Sequence, residues 1–191
     1  MSARSARVPI SIAAVCLGPL VLALLIYYLP NELTEHRVAN PDRTLLASLI
    51  PLPEVAVRRA DGGTTGPDWA RHRWSLIYAR ITPCEGHCAS DLARLTEVYL
   101  ALGRNRARVQ RVLLLADEEF RMTGDPDLLV GYLDGTRDAE LVGALGLEWL
   151  EQGRIFVVDP LGNLVMSYPP QPDQARLLED LERLLDVSRI G

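Results

Sequence analysis

The sequence predicts an α/β domain, a central mixed sheet flanked by helices, preceded by one N-terminal transmembrane helix. Residues 8–29 carry no charged side chain, a run long enough to cross the ~30 Å of bilayer hydrocarbon as a helix. Two short runs dense in apolar and β-branched residues, Trp74–Ile81 and Val109–Ala116, bracket a stretch of helical spacing. Strand, helix and strand in succession imply a parallel pair with a crossover. A hairpin-like segment and an amphipathic helix then close the chain.

Arg4 and Arg7 precede the uncharged run, whereas Glu32 and Glu35 follow it with only Arg37 nearby. The positive-inside bias therefore puts residues 1–7 in the cytoplasm and everything after the anchor outside it. Tyr27 and Tyr28 suit the outer interface, Pro19 is a candidate kink, and Cys16 is a small apolar residue in lipid. No small-x-small cleavage site follows Tyr28, and Ala13–Cys16 lies too early for a lipoprotein box, so the segment reads as an uncleaved anchor. Residues 30–52, broken by Pro41 and Pro51, read as a tether. Residues 53–191 then make one extracytoplasmic domain of ordinary size.

Within that domain Val55–Val57 is a candidate short strand and Asp61–Pro67 a turn. Trp74–Ile81, apolar on both faces, reads as a central strand. Leu92, Leu95, Val98, Tyr99 and Leu102 recur at helical spacing from Cys88 to Leu102, and Gly103 ends that helix. Val109–Ala116 is a second buried strand, followed by the acidic run Asp117-Glu118-Glu119, read as a solvated loop. Leu128–Leu133 and Asp138–Leu147 read as helical. Arg154–Asp159 and Leu164–Tyr168 flank the turn Pro160–Asn163 as a hairpin. Asp173–Val187 closes the chain as an amphipathic helix with Asp173 as its cap and Leu177, Leu178, Leu181, Leu184 and Leu185 on its apolar face.

Every basic residue is arginine and lysine is absent, which excludes Schiff-base and lysine-nucleophile chemistry. The net charge of -5 gives no footing for nucleic acid, and the interrupted cluster Arg104, Arg106, Arg108 and Arg111 reads as a solvated helix-to-strand turn. Trp69 and Trp74 read as packing residues.

The chemistry is concentrated in Pro83-Cys84-Glu85-Gly86-His87-Cys88. This C-x-x-x-C pair sits at a helix amino terminus, where unpaired N–H groups and the dipole stabilise thiolate. Cys84, at or before the first helical residue, is the candidate nucleophile, and Cys88, one turn on, the resolving thiol. His87 is a candidate modulator by charge or proton transfer, and Glu85 opposes thiolate formation. Three roles stay open for the pair: thiol–disulfide exchange needing no cofactor, Cu(I) ligation by Cys84 and Cys88 with His87 or an acidic residue as weak third ligand, or a structural disulfide in an oxidising compartment.

The order strand, cysteine-bearing helix, strand, helix, hairpin and final helix describes a thioredoxin-like fold. Trp74–Leu102, carrying Thr82-Pro83-Cys84-Glu85-Gly86-His87-Cys88, resembles the cysteine segment of the Sco/SenC family. Val112–Asp117, Ile155–Gly162 and Tyr168-Pro169-Pro170 resemble further places in that family. The resemblance implies a protein tethered to the bacterial inner (plasma) membrane, a periplasmic domain, and a role in assembling the copper site of cytochrome c oxidase. It implies as partners a respiratory oxidase subunit or its assembly factors; the uncharged run adds the lipid bilayer, and the charge gives no nucleic acid. The sequence departs from the family's pattern in one respect that bears on copper: its histidines are His36, His72 and His87, so none follows Cys88. The family's metal-binding histidine slot, counted back from Asp159, falls near Glu151 or Gln152. Glu85 and Ala89 replace the prolines that usually follow the cysteines.

Overall fold

The computed structural model describes residues 44–116, 125 and 127–188, together with residue 17. The expected anchor at 8–29, most of the tether and the run Asp117–Glu119 lie outside the described residues. Among the described residues no helix is long and apolar enough to cross a membrane. The chain forms β1 (Thr44–Pro51), β2 (Arg58–Arg59), β3 (Trp74–Arg80), α1 (Cys88–Ala101), β4 (Val109–Leu115), β5 (Leu128–Tyr132), α2 (Ala139–Leu145), α3 (Leu147–Gln152), β6 (Arg154–Val158), β7 (Asn163–Tyr168) and α4 (Gln174–Val187). These strands build one mixed sheet in the order β1-β7-β6-β3-β4-β5-β2.

The centre of the sheet follows from the apolar runs. β3 pairs parallel with β4, Trp74 opposite Val109 through Arg80 opposite Leu115, and antiparallel with β6 on its other side. Its alternating side chains enter two cores. Trp74, Leu76 and Tyr78 pack with Leu92, Leu95 and Val98 of α1 and Leu177, Leu181 and Leu185 of α4. Ile77 and Ala79 pack with Leu141 and Leu145 of α2, Leu150 of α3 and Phe156 of β6. Helices thus cover both faces, which is why β3 shows no polar alternation. The hairpin is closed by Asp159, whose Oδ1 accepts from the amides of Leu161 and Asn163 at 2.9 and 2.8 Å. α4 begins where expected, with Asp173 accepting from Ala175 N at 2.9 Å.

Four expectations are corrected. Leu128–Tyr132 is a strand, parallel to β4, not a helix. At Gly131 a Cβ would lie 2.7 Å from Val57 Cγ1 and 3.1 Å from Leu114 Cδ2, so the glycine admits a close approach. The helix expected over Asp138–Leu147 is α2, ended at Gly146 with φ +88°, and Leu147 instead opens the separate helix α3, which runs on to Gln152. Thr44–Pro51, within the segment read as irregular tether, is an edge strand antiparallel to β7; long-range pairing outweighs the local signal of Pro51. Val55–Val57 is not a strand, and the pairing begins instead at Arg58–Arg59, opposite Tyr132 and Gly131.

The arginine cluster is also less solvated than its composition implies. Arg108 donates to the carbonyls of Leu185 and Ser188, both at 2.8 Å, at the end of α4. Arg111 is 3% exposed, pairs with Asp125 at 2.6 Å and stacks over the Tyr99 ring.

Candidate functional site: a disulfide at the start of the first helix

β3 leaves the sheet at Arg80 and the chain turns through Thr82 and Pro83. Arg80 Nε donates to Thr82 Oγ1 at 2.6 Å, and that hydroxyl donates to the Glu151 carbonyl at 3.2 Å. Ile81 N donates to the Leu150 carbonyl at 3.1 Å. The turn is thereby tied to α3 before it reaches Cys84. Gly86 then takes φ +64°, a conformation glycine adopts freely, and α1 starts at Cys88 with His87 at its cap position.

Cys84 and Cys88 are joined by a disulfide, with Cα atoms 5.3 Å apart. The two sulfurs sit in different surroundings. Cys88 is fully buried in the α1/α4-side core, whereas Cys84 is partly exposed and packs against that core's edge. Cys84, the candidate nucleophile, is thus the more accessible of the two residues. Only Cys88 is in the helix; Cys84 precedes it in the loop. Glu85 and His87 are exposed.

An open hollow beside the pair is lined by Arg80, Glu85, Gly86, His87, Glu151, Gln152 and Pro170. Glu151 and Gln152 therefore line the same hollow as the cysteine loop and bring a carboxylate and an amide to it. Among the described residues no three His, Cys, Asp or Glu side chains are grouped to hold a metal ion. The acidic run Asp117–Glu119 is outside the described residues.

Three residues near the pair were not singled out by sequence. Asp91, one turn past Cys88, is 1% exposed; its Oδ1 accepts from Gln171 N at 2.9 Å and its Oδ2 has no hydrogen-bond partner among the described residues. Its signal was an aspartate in phase with the buried positions Cys88, Leu92, Leu95 and Val98. Burial raises its pKa, against the Gln171 amide and the charges of His87, Arg94 and Arg80, which lower it. Tyr78 reaches the same region from β3; its buried hydroxyl pKa is also pushed up by burial. Gly153 roofs that hydroxyl.

A carboxyl with a raised folded-state pKa stabilises the fold most below its unfolded value, ordinarily 3.8, and that contribution is lost as pH rises through the folded value. Asp91→Asn, which cannot ionise, is expected to match the wild type in urea melts in acid and to exceed it at neutral pH. A variant equally or less stable at neutral pH would mean that the buried charge costs nothing. At Gly153, φ is +76° and a Cβ would lie 2.6 Å from Tyr78 Oη. Gly153→Ala is expected to cost about 1–3 kcal/mol, from left-handed strain and overpacking together, read as a lowered urea midpoint.

A family model described as "Transmembrane-like, thioredoxin-like, C-terminal domain" matches residues 74–188. No protein among the curated sequences matches the chain. Among solved structures, yeast Sco1 with copper bound is similar at a TM-score of 0.61 and 13% identity, over 73% of this chain and 94% of that one. Apo Sco1 from Thermus thermophilus is similar at 0.59 and 20%, over 74% and 95%. BsSco, in which a disulfide switch was identified and which is a member of the Sco family of cytochrome c oxidase assembly proteins, is similar at 0.53 and 15%, over 75% and 99%. At these identities the likeness is one of fold: the domain has the thioredoxin-like fold of Sco structures.

Proposed function

The chain belongs to the family of transmembrane-like, thioredoxin-like C-terminal domains, and on that premise we propose that it is a membrane-anchored thiol–disulfide exchange protein acting in assembly of the copper site of cytochrome c oxidase. The observation that carries this reading is the Cys84–Cys88 disulfide itself, with Cys84 partly buried, Cys88 fully buried, and an open hollow lined by the residues between them. The oxidase as client is supported by the fold shared with BsSco and by the resemblance of the cysteine segment. The uncharged run at residues 8–29 supports an inner-membrane anchor with a cytoplasmic N-terminus and a periplasmic domain.

In the reduced state, Cys84 thiolate attacks one sulfur of a client disulfide. The Cys84–client bond forms, and the client's other sulfur leaves as thiolate with the bond's electron pair. Cys88 thiolate then attacks Cys84 Sγ, restores the Cys84–Cys88 bond and releases the client's second thiolate. Two electrons pass from the dithiol to the client disulfide, and the reverse sequence oxidises a client dithiol.

Copper is a second reading, favoured by the copper-bound yeast structure of the same fold. Cu(I) would be cargo, held by the two thiolates after reduction; the Glu151–Gln152 slot contributes no imidazole. Titration of the reduced full chain in detergent with Cu(I) against a competing chelator separates the two. The exchange reading predicts negligible retention of copper. Tight one-to-one binding that vanishes in Cys84→Ser would replace it with copper carriage.

A further inference from the structure

The loop after β7 reads Pro169-Pro170-Gln171-Pro172, and Gln171 is held at φ +55°, a left-handed conformation that a residue other than glycine enters at a cost. Proline has no amide hydrogen, so Gln171 carries the only backbone N–H of these four residues. That amide donates to Asp91 Oδ1 at 2.9 Å. Asp91 is 1% exposed, and its other oxygen is buried without a hydrogen-bond partner among the described residues, an expensive arrangement for a carboxyl that serves packing alone. It lies three residues past Cys88, on the same side of α1. The groups facing it are His87 at the cap of α1, Arg94 of α1, Arg80 and Tyr78 from β3, and the Gln171 amide from the loop. Pro170, next to the clamped residue, lines the hollow beside the disulfide. A buried side chain on the cysteine-bearing helix thus holds a strained loop that forms one wall of the site.

We propose that Asp91 is a positioning residue for thiol–disulfide exchange: through the Gln171 amide it fixes the Pro169–Pro172 loop as the wall along which a client polypeptide lies beside Cys84. The client half of this inference rests on the exchange function proposed above; the clamp does not. A small dithiol reaches Cys84 without touching the wall, whereas a peptide must lie along it. The clamp requires an acceptor oxygen and no charge.

The test uses the full chain in detergent, with dithiothreitol and a short synthetic peptide carrying one disulfide as probes, and hydrogen exchange of the Gln171 amide as a readout independent of activity. Asp91→Ala is expected to slow exchange with the peptide by roughly tenfold or more, leave exchange with dithiothreitol within about threefold, and unprotect Gln171. Asp91→Asn, which keeps an acceptor, is expected to retain the wild-type values of all three. Equal slowing with both probes, an Asp91→Asn chain that behaves like Asp91→Ala, or no change in Asp91→Ala would each overturn the proposal. So would an unprotected Gln171 amide in the wild type, a result that needs no variant to fold. If the wild type exchanges with neither probe, the exchange function fails by itself, and Gln171 protection in the two variants still upholds or refutes the clamp.

Discussion

Cys88→Ser is expected to leave Cys84 covalently joined to its client. With the buried thiol gone, the mixed disulfide formed at Cys84 has no internal sulfur to release it, and it accumulates as a species that a reductant removes from a non-reducing gel. Cys84→Ser is expected to lose exchange by roughly a hundredfold or more with no trapped species, because the accessible sulfur is the one that attacks. The order of these outcomes follows from burial: Cys88 is 0% exposed and Cys84 is at the edge of the core. Trapping through Cys88 in a Cys84→Ser chain, with none in the converse variant, would reverse the assigned roles. A structural disulfide predicts no client adduct from either variant and only a loss of stability, about 2 kcal/mol for so short a loop.

The largest expected stability effect lies away from that pair. Phe156 is fully buried at the middle of β6, paired with Ile77 of β3, with its ring centroid 6.2 Å from that of Trp149. Phe156→Ala removes a whole ring from a core closed by α2 and α3, and is expected to cost about 3–5 kcal/mol. Set against a typical total of roughly 5–15 kcal/mol, this is a large fraction, and calorimetry should show the melting temperature falling by about 10 °C. A loss below about 1 kcal/mol would mean that the α2/α3 face is loosely packed.

What the sequence disclosed, and what it did not, divides along physical lines. β3, α1, β4, the Asp159 hairpin and the Asp173-capped α4 were legible because period, cap and turn chemistry are local signals. β5 was not, since Leu128–Tyr132 is a short apolar run with no alternation, and such runs do not distinguish a strand from a buried helix turn. β1 was hidden because its pairing partner, β7, lies more than a hundred residues away in sequence. A soluble fragment should accordingly begin before Thr44, since starting at Pro53 would remove β1 and expose the edge of β7. At the site, the cysteines and His87 stood out as residue types in a motif, and Glu151 and Gln152, reached by counting back from Asp159, line the hollow with the cysteine loop. Asp91 passed unnoticed because a helical aspartate is ordinarily a surface residue. Its helical phase turns it inward with Leu92 and Leu95, but its partner, a loop amide eighty residues on, is visible only in the fold.

The reduction potential of the full chain, equilibrated against dithiol buffers of graded potential with the thiols then trapped, tests the central claim most directly. The exchange function predicts a reversible two-electron couple, about 30 mV per decade, with a midpoint above about −300 mV, the range in which disulfides are not merely structural. A Cys84–Cys88 bond that resists reduction below that potential, or thiols that fail to re-form it on reoxidation, would contradict the account.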